Sequence, residues 1–283
     1  MSDKQTIGII NPGTMGISVA ATMQNSGFEV MWAADRRSAQ SKSRATRHNL
    51  IDVGTTAELF RRSDIIVSVC PPHAAEGVAD RAIAAGFHGL FLDANAVAPQ
   101  RAIRIGDKLD AAGISFVDGS IVGGPAWEPG KTWLYLSGAE AGTAAAYFAA
   151  GPLETEVLGA ELGQASALKA CFAAYTKGRT ALLSLILAGA ESLGVRPSLE
   201  RQWERYWPGF AAETRQRVQG VTAKAWRFEG EMHEIADTFE SVNLPGGFHE
   251  AAADIYARMA GFKDAAELPE LDELLEALLS REN

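Results

Sequence analysis

The stretch Ile7-Gly8-Ile9-Ile10-Asn11-Pro12-Gly13-Thr14-Met15-Gly16 lies near the N-terminus and decides the fold of the first half of the chain. Its apolar residues predict a buried strand, and the following residues predict a tight turn and the start of a helix. A strand, a glycine turn and a helix in this order form the βα unit that binds dinucleotides, with the pyrophosphate at the helix N-terminus. We therefore expect a dinucleotide to be bound by the turn: Asn11, Pro12, Gly13, Thr14, Met15 and Gly16.

The turn departs from the dinucleotide pattern G-x-G-x-x-G at its first position, which is Asn11. Asparagine is among the few non-glycine residues that tolerate a positive φ, so we expect the turn to be preserved. Gly13 would allow the backbone to approach the phosphates, and Gly16 would allow the helix to pack closely on the strand. A glycine pattern alone is weak evidence, and its weight depends on the strands that follow.

The composition limits the classes of function. A chain of 283 residues is long enough for two domains, and 47% hydrophobic residues with 22% charged residues are typical of a globular protein. The net charge of −9 argues against a nucleic-acid partner or an anionic membrane surface. The longest apolar stretch, 181–190, is too short to span a bilayer, and the N-terminus lacks a signal-peptide pattern.

The two cysteines and five histidines show no metal-ligand spacing, so we expect no metal. Two cysteines also make no disulfide framework, which favours a reducing cytoplasm. The sequence contains no Ser-His-Asp or Cys-His arrangement that spacing alone could support.

A polar run, Asp35-Arg36-Arg37-Ser38, follows the second predicted strand, Glu29 to Ala33. In a dinucleotide fold this position meets the adenosine ribose, where an acidic residue favours the 2′-hydroxyl of NAD and arginine favours the 2′-phosphate of NADP. Asp35 points to NAD, whereas Arg36, Arg37 and Ser38 together suit a phosphate. A solvated loop is the remaining alternative. Behind a glycine turn and a second strand, the run favours NADP.

Further short apolar strands alternate with helices. Strand Ile65 to Val69 ends at Cys70-Pro71-Pro72, strand Leu90 to Asp93 leads to Asn95, and strand Ser115 to Asp118 leads to Gly119 to Gly124. Such alternation predicts an α/β fold with a parallel sheet that is covered on both faces. Ligands bind such doubly wound sheets at the carboxyl ends of the strands. We therefore expect Cys70, Pro71, Pro72 and Asn95 to lie beside the cofactor.

These motifs resemble the β-hydroxyacid dehydrogenase superfamily, which includes 3-hydroxyisobutyrate and 6-phosphogluconate dehydrogenases. The chain looks most similar to a bacterial subgroup of phosphogluconate dehydrogenase-like proteins whose C-terminal domain has no assigned function. The subgroup's features match Arg36-Arg37-Ser38, Asp93-Ala94-Asn95-Ala96 and Ala223-Lys224-Ala225-Trp226-Arg227. The resemblance implies that the glycine turn binds the dinucleotide and that Asp118 to Gly124, with Gly123 and Gly124, binds substrate. It implies that Lys169 is the general acid/base.

Three positions depart from the superfamily. Val122 replaces the serine of the substrate loop, Ala173 replaces an asparagine one helical turn after Lys169, and Thr176 replaces the glutamate of phosphogluconate dehydrogenases. Val122 and Ala173 remove hydrogen bonds to a substrate carboxylate or hydroxyl, which leaves such a group unpaired. We therefore do not expect 3-hydroxyisobutyrate or 6-phosphogluconate as substrates.

The second half of the chain is helical in pattern. From Gln164 to Leu193 no proline interrupts, and a helix of about 30 residues would be roughly 45 Å long, enough to leave a first domain and form the spine of a second. We expect a Rossmann-type domain at 1–162 and an all-α substrate and dimerisation domain at 163–283. The helical domains of the relatives imply a homodimer. Further substrate-site candidates, each with a surface or core alternative, are Trp127, Lys177 and Trp226.

Three hypotheses follow. The first is an NADP-dependent oxidoreductase that acts on a small polar alcohol or carbonyl through Lys169. The second is an imine reductase, because superfamily members reduce imines without the serine and asparagine that are absent at Val122 and Ala173. The third is a non-catalytic NADP-binding protein that senses the redox state of the cofactor; retention of Lys169 opposes it.

Overall fold

The computed structural model describes residues 5–263 and 265–280. The chain forms two compact units, with the boundary between Lys169 and Ala170, inside one long helix. The first unit is α/β and the second is all-α. Among the described residues, no helix is both long enough and apolar enough to cross a membrane.

The first unit contains eight strands in one sheet and the helices that cover it. The strands are β1 (Thr6–Ile10), β2 (Glu29–Trp32), β3 (Ile51–Asp52), β4 (Ile65–Ser68), β5 (Leu90–Asp93), β6 (Ser115–Gly123), β7 (Thr132–Ser137) and β8 (Leu153–Gly159). The helices are α1 (Thr14–Asn25), α2 (Ala39–Arg47), α3 (Thr56–Arg62), α4 (Ala75–Ala84), α5 (Pro99–Asp110), α6 (Ala141–Ala146) and the start of α7 (Gln164–Ser192). The strand order is β3-β2-β1-β4-β5-β6-β7-β8.

The central strands are buried on both faces, as their continuous apolar runs predict. Ile9 and Val67 belong to the core on one side of the sheet, whereas Ile66 and Phe91 belong to the core on the other side. Strands β1, β4, β5 and β6 are parallel neighbours, so their carboxyl ends meet at one edge. The predicted doubly wound α/β fold is confirmed, and the turns that follow β1, β4 and β5 meet at this edge.

The sheet continues beyond the strands that the sequence pattern indicates. Strand β6 does not end at Asp118 but runs to Gly123, and β7 returns antiparallel to it. The sheet is therefore mixed rather than wholly parallel. The segment 124–131 between β6 and β7 contains no helix, and a short connection of this kind joins antiparallel strands, whereas parallel strands need a longer crossover.

The described residues of the second unit form the remainder of α7 and five further α-helices. These are α8 (Arg196–Tyr206), α9 (Phe210–Gly220), α10 (Ala225–Glu240), α11 (Gly247–Arg258) and α12 (Leu271–Leu279). Leu187 of α7, Met232 of α10, Tyr256 of α11 and Leu275 of α12 share its core. Helix α7 has 29 residues, and it ends within one residue of the predicted end.

Candidate cofactor and active site

The glycine turn between β1 and α1 adopts the conformation that the sequence predicts. Asn11 has φ 63°, the left-handed region that asparagine tolerates. Its Nδ2 donates to the carbonyl of Val69 at the end of β4, at 3.1 Å. A Cβ at Gly16 would lie 2.5 Å from the carbonyl oxygen of Asn11, so only glycine lets α1 pack this closely on the turn.

The N-terminus of α1 is open to a ligand. Its N-cap is Gly13, which has no side chain to accept a hydrogen bond from the first turn, and that turn carries no acidic residue. Apart from the chain neighbours and the backbone of α1, the nearest described atom to a Cβ built on Gly13 is Asn11 Nδ2, at 3.8 Å. The unpaired first-turn N–H groups and the helix dipole favour an anion there. These features fit the pyrophosphate of a dinucleotide.

The loop after β2 separates its acidic and basic side chains. The Oδ1 atom of Asp35 accepts a hydrogen bond from the hydroxyl of Thr56 on α3, at 3.0 Å. Arg37 points the other way, and its Nη1 donates to Oδ1 of Asn11 at 3.3 Å. Arg36 is exposed and has φ 56°. Ser38 caps α2, because its Oγ accepts from the amide of Ser41.

Arg44 also reaches the glycine turn, although the sequence did not single it out. Its Nη1 donates to the carbonyl of Pro12 at 3.2 Å. Arg44 lies on α2, six residues after Ser38, and so beyond the loop in which the sequence pattern predicts phosphate contacts. The available signal was the three-residue spacing of Ser41 and Arg44, which makes them neighbours on the helix surface.

A hydrogen-bond network joins the carboxyl ends of β4 and β5. The amide of Cys70 donates to Oδ1 of Asn95, and Nδ2 of Asn95 donates to Ser68 Oγ at 3.1 Å and to Asp93 Oδ1. Burial, and then the nearby Asp93 carboxylate, raise the pKa of the Cys70 thiol to about 11. Cys70 is therefore a neutral thiol at physiological pH, and Asn95 holds the two turns together.

Two buried carboxyl groups, Asp93 and Asp118, are cross-strand partners on β5 and β6. Burial, and then the charge of Asp118, raise the pKa of Asp93 to about 8. Burial also raises the pKa of Asp118, but hydrogen bonds from Ser166 and Ser137 oppose the shift. Ionising two adjacent buried carboxyl groups together is unfavourable, because their charges repel each other. Asp93 is therefore the group that retains a proton at neutral pH.

Asp118 caps the start of α7. Its Oδ2 accepts from the amide of Ser166 at 3.0 Å and from the hydroxyl of Ser137 at 3.0 Å, and its Oδ1 accepts from the hydroxyl of Ser166 at 2.7 Å. The Ser137 hydroxyl in turn accepts from the amide of Ala165. The cap comes from a residue 48 positions away, so no local sequence signal could reveal it.

One turn after this cap, Lys169 meets the extended end of β6. Its Nζ donates to the carbonyl of Ile121 at 2.8 Å. Ile121 lies three residues beyond Asp118, the last residue of β6 that pairs with β5. The lysine side chain is half-buried, and it lies where β6 continues past the carboxyl edge of the parallel strands.

The segment predicted as a substrate loop ends β6. Val122 is buried and pairs in register with Trp133 of β7. Gly123 has φ 120°, and a Cβ there would lie 2.4 Å from the carbonyl of Lys131, so glycine is required. Gly124 has open space around its Cα. Trp127 follows, half-exposed, and stacks on His48 at the C-terminus of α2, with ring centroids 5.2 Å apart.

The remaining candidates lie in the second unit. Ala173 is buried. Lys177 forms an ion pair with Glu231, and its ammonium lies 4.4 Å above the Phe228 ring. Trp226 is partly exposed under the ammonium of Lys263, at 4.1 Å from the ring centroid. The charge of Lys177 is thus neutralised within the helical unit, and substrate contact by Lys177 or Trp226 stays a prediction.

The glycine turn, the bare N-terminus of α1 and the doubly wound sheet define a nicotinamide-dinucleotide-binding domain of the oxidoreductase class. Residues 6–152 match the NAD binding domain of 6-phosphogluconate dehydrogenase, so the chain belongs to this family. Residues 190–259 match a domain of unknown function. The cofactor is a nicotinamide dinucleotide, and the resemblance to 6-phosphogluconate dehydrogenase-like proteins with that C-terminal domain is confirmed.

Individual relatives are distant. An uncharacterized 28.5 kDa protein of Methanothermus fervidus is 28% identical over 239 residues, which are 84% of this chain and 92% of that protein. The 3-hydroxyisobutyrate dehydrogenase of Mycobacterium tuberculosis has a TM-score of 0.70 at 18% identity, over 98% of this chain and 100% of that one. An imine reductase of Myxococcus stipitatus, solved with NADP+, has a TM-score of 0.54 at 20% identity, over 97% and 100%. The two solved structures establish a shared fold.

Proposed function

We propose that this protein is an NADP-dependent oxidoreductase that transfers a hydride between the nicotinamide and a small polar alcohol or carbonyl substrate. In this proposal Lys169 is the general acid/base. The observation that carries it is the hydrogen bond from Lys169 Nζ to the carbonyl of Ile121. This bond holds the lysine amine beside the part of β6 that extends beyond the parallel strands. Dinucleotide folds bind their ligands at the carboxyl ends of these strands.

The nicotinamide, when bound, supplies or accepts the hydride. Lys169 would complete the reaction by moving one proton at Nζ: to the substrate oxygen in reduction, or from it in oxidation. The Ile121 carbonyl would accept one N–H of the ammonium and so hold Nζ at the end of β6. The Asp118 cap would position the lysine, because it fixes the helix turn that precedes it.

The choice of NADP over NAD rests on the loop after β2. The carboxylate of Asp35, which would otherwise suit a ribose 2′-hydroxyl, accepts from Thr56. Arg37 extends over the glycine turn instead. A guanidinium beside the turn favours a phosphate, since it offers several donors and a full charge. NAD is the alternative that a binding comparison would detect.

At two positions where the superfamily has a polar substrate-binding residue, this chain has an apolar one. Val122 in the first unit and Ala173 in the second are both buried and apolar, so neither can hydrogen-bond a carboxylate or hydroxyl. This observation favours imine reduction as the second candidate function, because an imine has no carboxylate to pair. In that variant Lys169 would donate its proton to the substrate nitrogen.

The deciding experiment follows NADPH oxidation over a panel of ketoacids, semialdehydes and cyclic imines, with the wild type and Lys169→Met in parallel. Turnover of one class by the wild type, lost in Lys169→Met while NADPH binding is retained, would support the proposal. Full turnover by Lys169→Met would refute the role of the lysine. Tight NADPH binding with turnover of no compound would favour the non-catalytic redox sensor.

We also propose that the protein is a homodimer in the cytoplasm. The support in the second unit is an exposed apolar stripe on α7, whose members are between 41% and 62% exposed: Phe172, Tyr175, Leu182 and Leu185. Large apolar side chains on one helix face favour contact with another protein surface. Both cysteines are free thiols, which is consistent with a reducing compartment. Sedimentation velocity of wild type and Leu185→Glu would test the dimer.

A further inference from the structure

The segment 36–47, which contains α2, is strongly cationic. It holds five arginine or lysine residues and no carboxylate, in a chain whose net charge is −9. Such a segment on an acidic protein creates a local positive potential. The potential lies beside the glycine turn, since two of these side chains contact it.

The two contacts come from different parts of the segment 36–47. Arg37, before α2, donates to the side chain of Asn11 at 3.3 Å. Arg44, in the second turn of α2, donates to the carbonyl of Pro12 at 3.2 Å. The two guanidinium groups therefore contact successive residues of the turn, Asn11 and Pro12. Both come from the segment that follows β2. Both side chains are half-buried, whereas Arg36 is exposed.

The hydroxyl groups of Ser38 and Ser41 belong to the same cationic segment. Their Oγ atoms are 3.2 Å apart, and Ser41 and Arg44, three residues apart on α2, are neighbours on the helix surface. A guanidinium carries five N–H donors, so a single bond to the Pro12 carbonyl does not exhaust those of Arg44. Hydroxyl and guanidinium groups both donate to phosphate oxygens, so these side chains suit a phosphate monoester.

We propose that Arg44 is a specificity-determining residue that binds the 2′-phosphate of NADP together with Arg37. The proposal rests on the proposed NADP dependence and adds a residue to it. Arg44 is assigned to the 2′-phosphate and not to the pyrophosphate because it comes from α2, the element that follows the ribose loop. The pyrophosphate is expected at the N-terminus of α1. NADH has a hydroxyl at the 2′ position of this ribose, so Arg44 would add little to the affinity for NADH.

The test is the dissociation constant of NADPH and of NADH, measured by fluorescence titration of the whole protein. The variants are Arg44→Ala, Arg37→Ala and Arg47→Ala. Arg47 is the matched control, because it is an exposed arginine of the same helix that donates locally, to the carbonyl of Ser43. Thermal unfolding of each variant shows that it is folded.

We expect Arg44→Ala to weaken NADPH binding at least about tenfold, because a charge-assisted contact to phosphate is lost. NADH binding should weaken less than about threefold. Arg47→Ala should change both affinities less than about twofold. Equal weakening of both cofactors would show that Arg44 only supports the turn, and would overturn the inference. Unchanged NADPH binding in Arg44→Ala would also overturn it, while a wild-type preference for NADPH would leave the proposed function standing. A wild type that does not prefer NADPH would overturn both.

Discussion

Asp118 and Ser166 are 48 residues apart, yet both oxygens of the Asp118 carboxylate bond to Ser166, one to its amide and one to its hydroxyl. A carboxylate at the N-terminus of a helix satisfies first-turn N–H groups and complements the helix dipole. The last paired strand of the parallel sheet therefore fixes the first turn of α7. Lys169 follows in the next turn, so its position is set by a contact made far away in the sequence.

The first prediction concerns this cap. Ser166→Ala should lower the free energy of unfolding by about 2 kcal/mol, because a buried carboxylate loses one charge-assisted hydrogen bond. Urea unfolding followed by circular dichroism measures the change. Ser192→Ala, at the exposed far end of α7, is the control and should change stability by less than about 0.5 kcal/mol. Equal stability of Ser166→Ala and wild type would contradict the cap.

The second prediction concerns pH and Asp93. Its pKa rises from an ordinary 3.8 to about 8 in the folded protein, so the native state binds a proton that the unfolded state releases. The stabilisation from this proton is complete below pH 3.8 and is lost as the pH rises toward 8. Asp93→Asn keeps the oxygen that accepts from Asn95 but cannot titrate. Between pH 5 and pH 7 the wild type should lose about 2.5 kcal/mol relative to Asp93→Asn.

Unfolding of both proteins across this pH range provides the measurement. Parallel stability curves for wild type and Asp93→Asn would show that Asp93 is ionised in the fold at neutral pH. A wild-type curve that falls less steeply than that of Asp93→Asn would have the wrong sign for a raised pKa.

The third prediction concerns the missing first glycine. Asn11→Gly should keep NADPH affinity within about threefold, because glycine adopts a positive φ without strain. Asn11→Val should lose it about tenfold or more, since a β-branched residue is strained at φ 63°, whereas both variants lose the bond to Val69 alike. Fluorescence titration compares the two variants. Similar affinity in both would mean that the turn conformation does not control cofactor binding.

The fourth prediction concerns the two thiols. Burial raises the pKa of Cys70 to about 11, and only the thiolate is reactive. Cys171 is exposed. At pH 7.5 iodoacetamide should therefore alkylate Cys171 well before Cys70, as peptide mass spectrometry would reveal. In Cys171→Ser, modification should be slow. Rapid labelling of Cys70 in that variant would contradict its raised pKa.

The fifth prediction separates a structural role of Lys177 from substrate binding. Lys177→Met would leave the largely buried Glu231 without its partner, and breaking a buried pair costs about 3–5 kcal/mol. The double variant Lys177→Met/Glu231→Gln should recover much of this loss, as thermal unfolding can show. NADPH affinity should not change. A stable Lys177→Met variant that lacks turnover would favour the substrate role instead.

Local sequence determined much of this protein. Continuous apolar strands and glycine turns predict the doubly wound sheet, because a strand that is covered on both faces needs apolar residues at successive positions. The left-handed Asn11 and the uninterrupted α7 follow from backbone preferences and residue spacing alone. Even the proposed catalytic Lys169 was identifiable, but through resemblance to a family and not through spacing.

Only the tertiary structure decided what the charged and polar side chains contact. Asp35 and Arg37 are two positions apart in sequence, yet one bonds to α3 and the other to the glycine turn. The Asp118 cap of α7 and the ion pair of Lys177 with Glu231 join residues 48 and 54 positions apart. Hydrophobic periodicity is a local property, whereas a side-chain hydrogen bond requires two chain segments to meet at about 3 Å. Which segments meet is set by the packing of the whole fold.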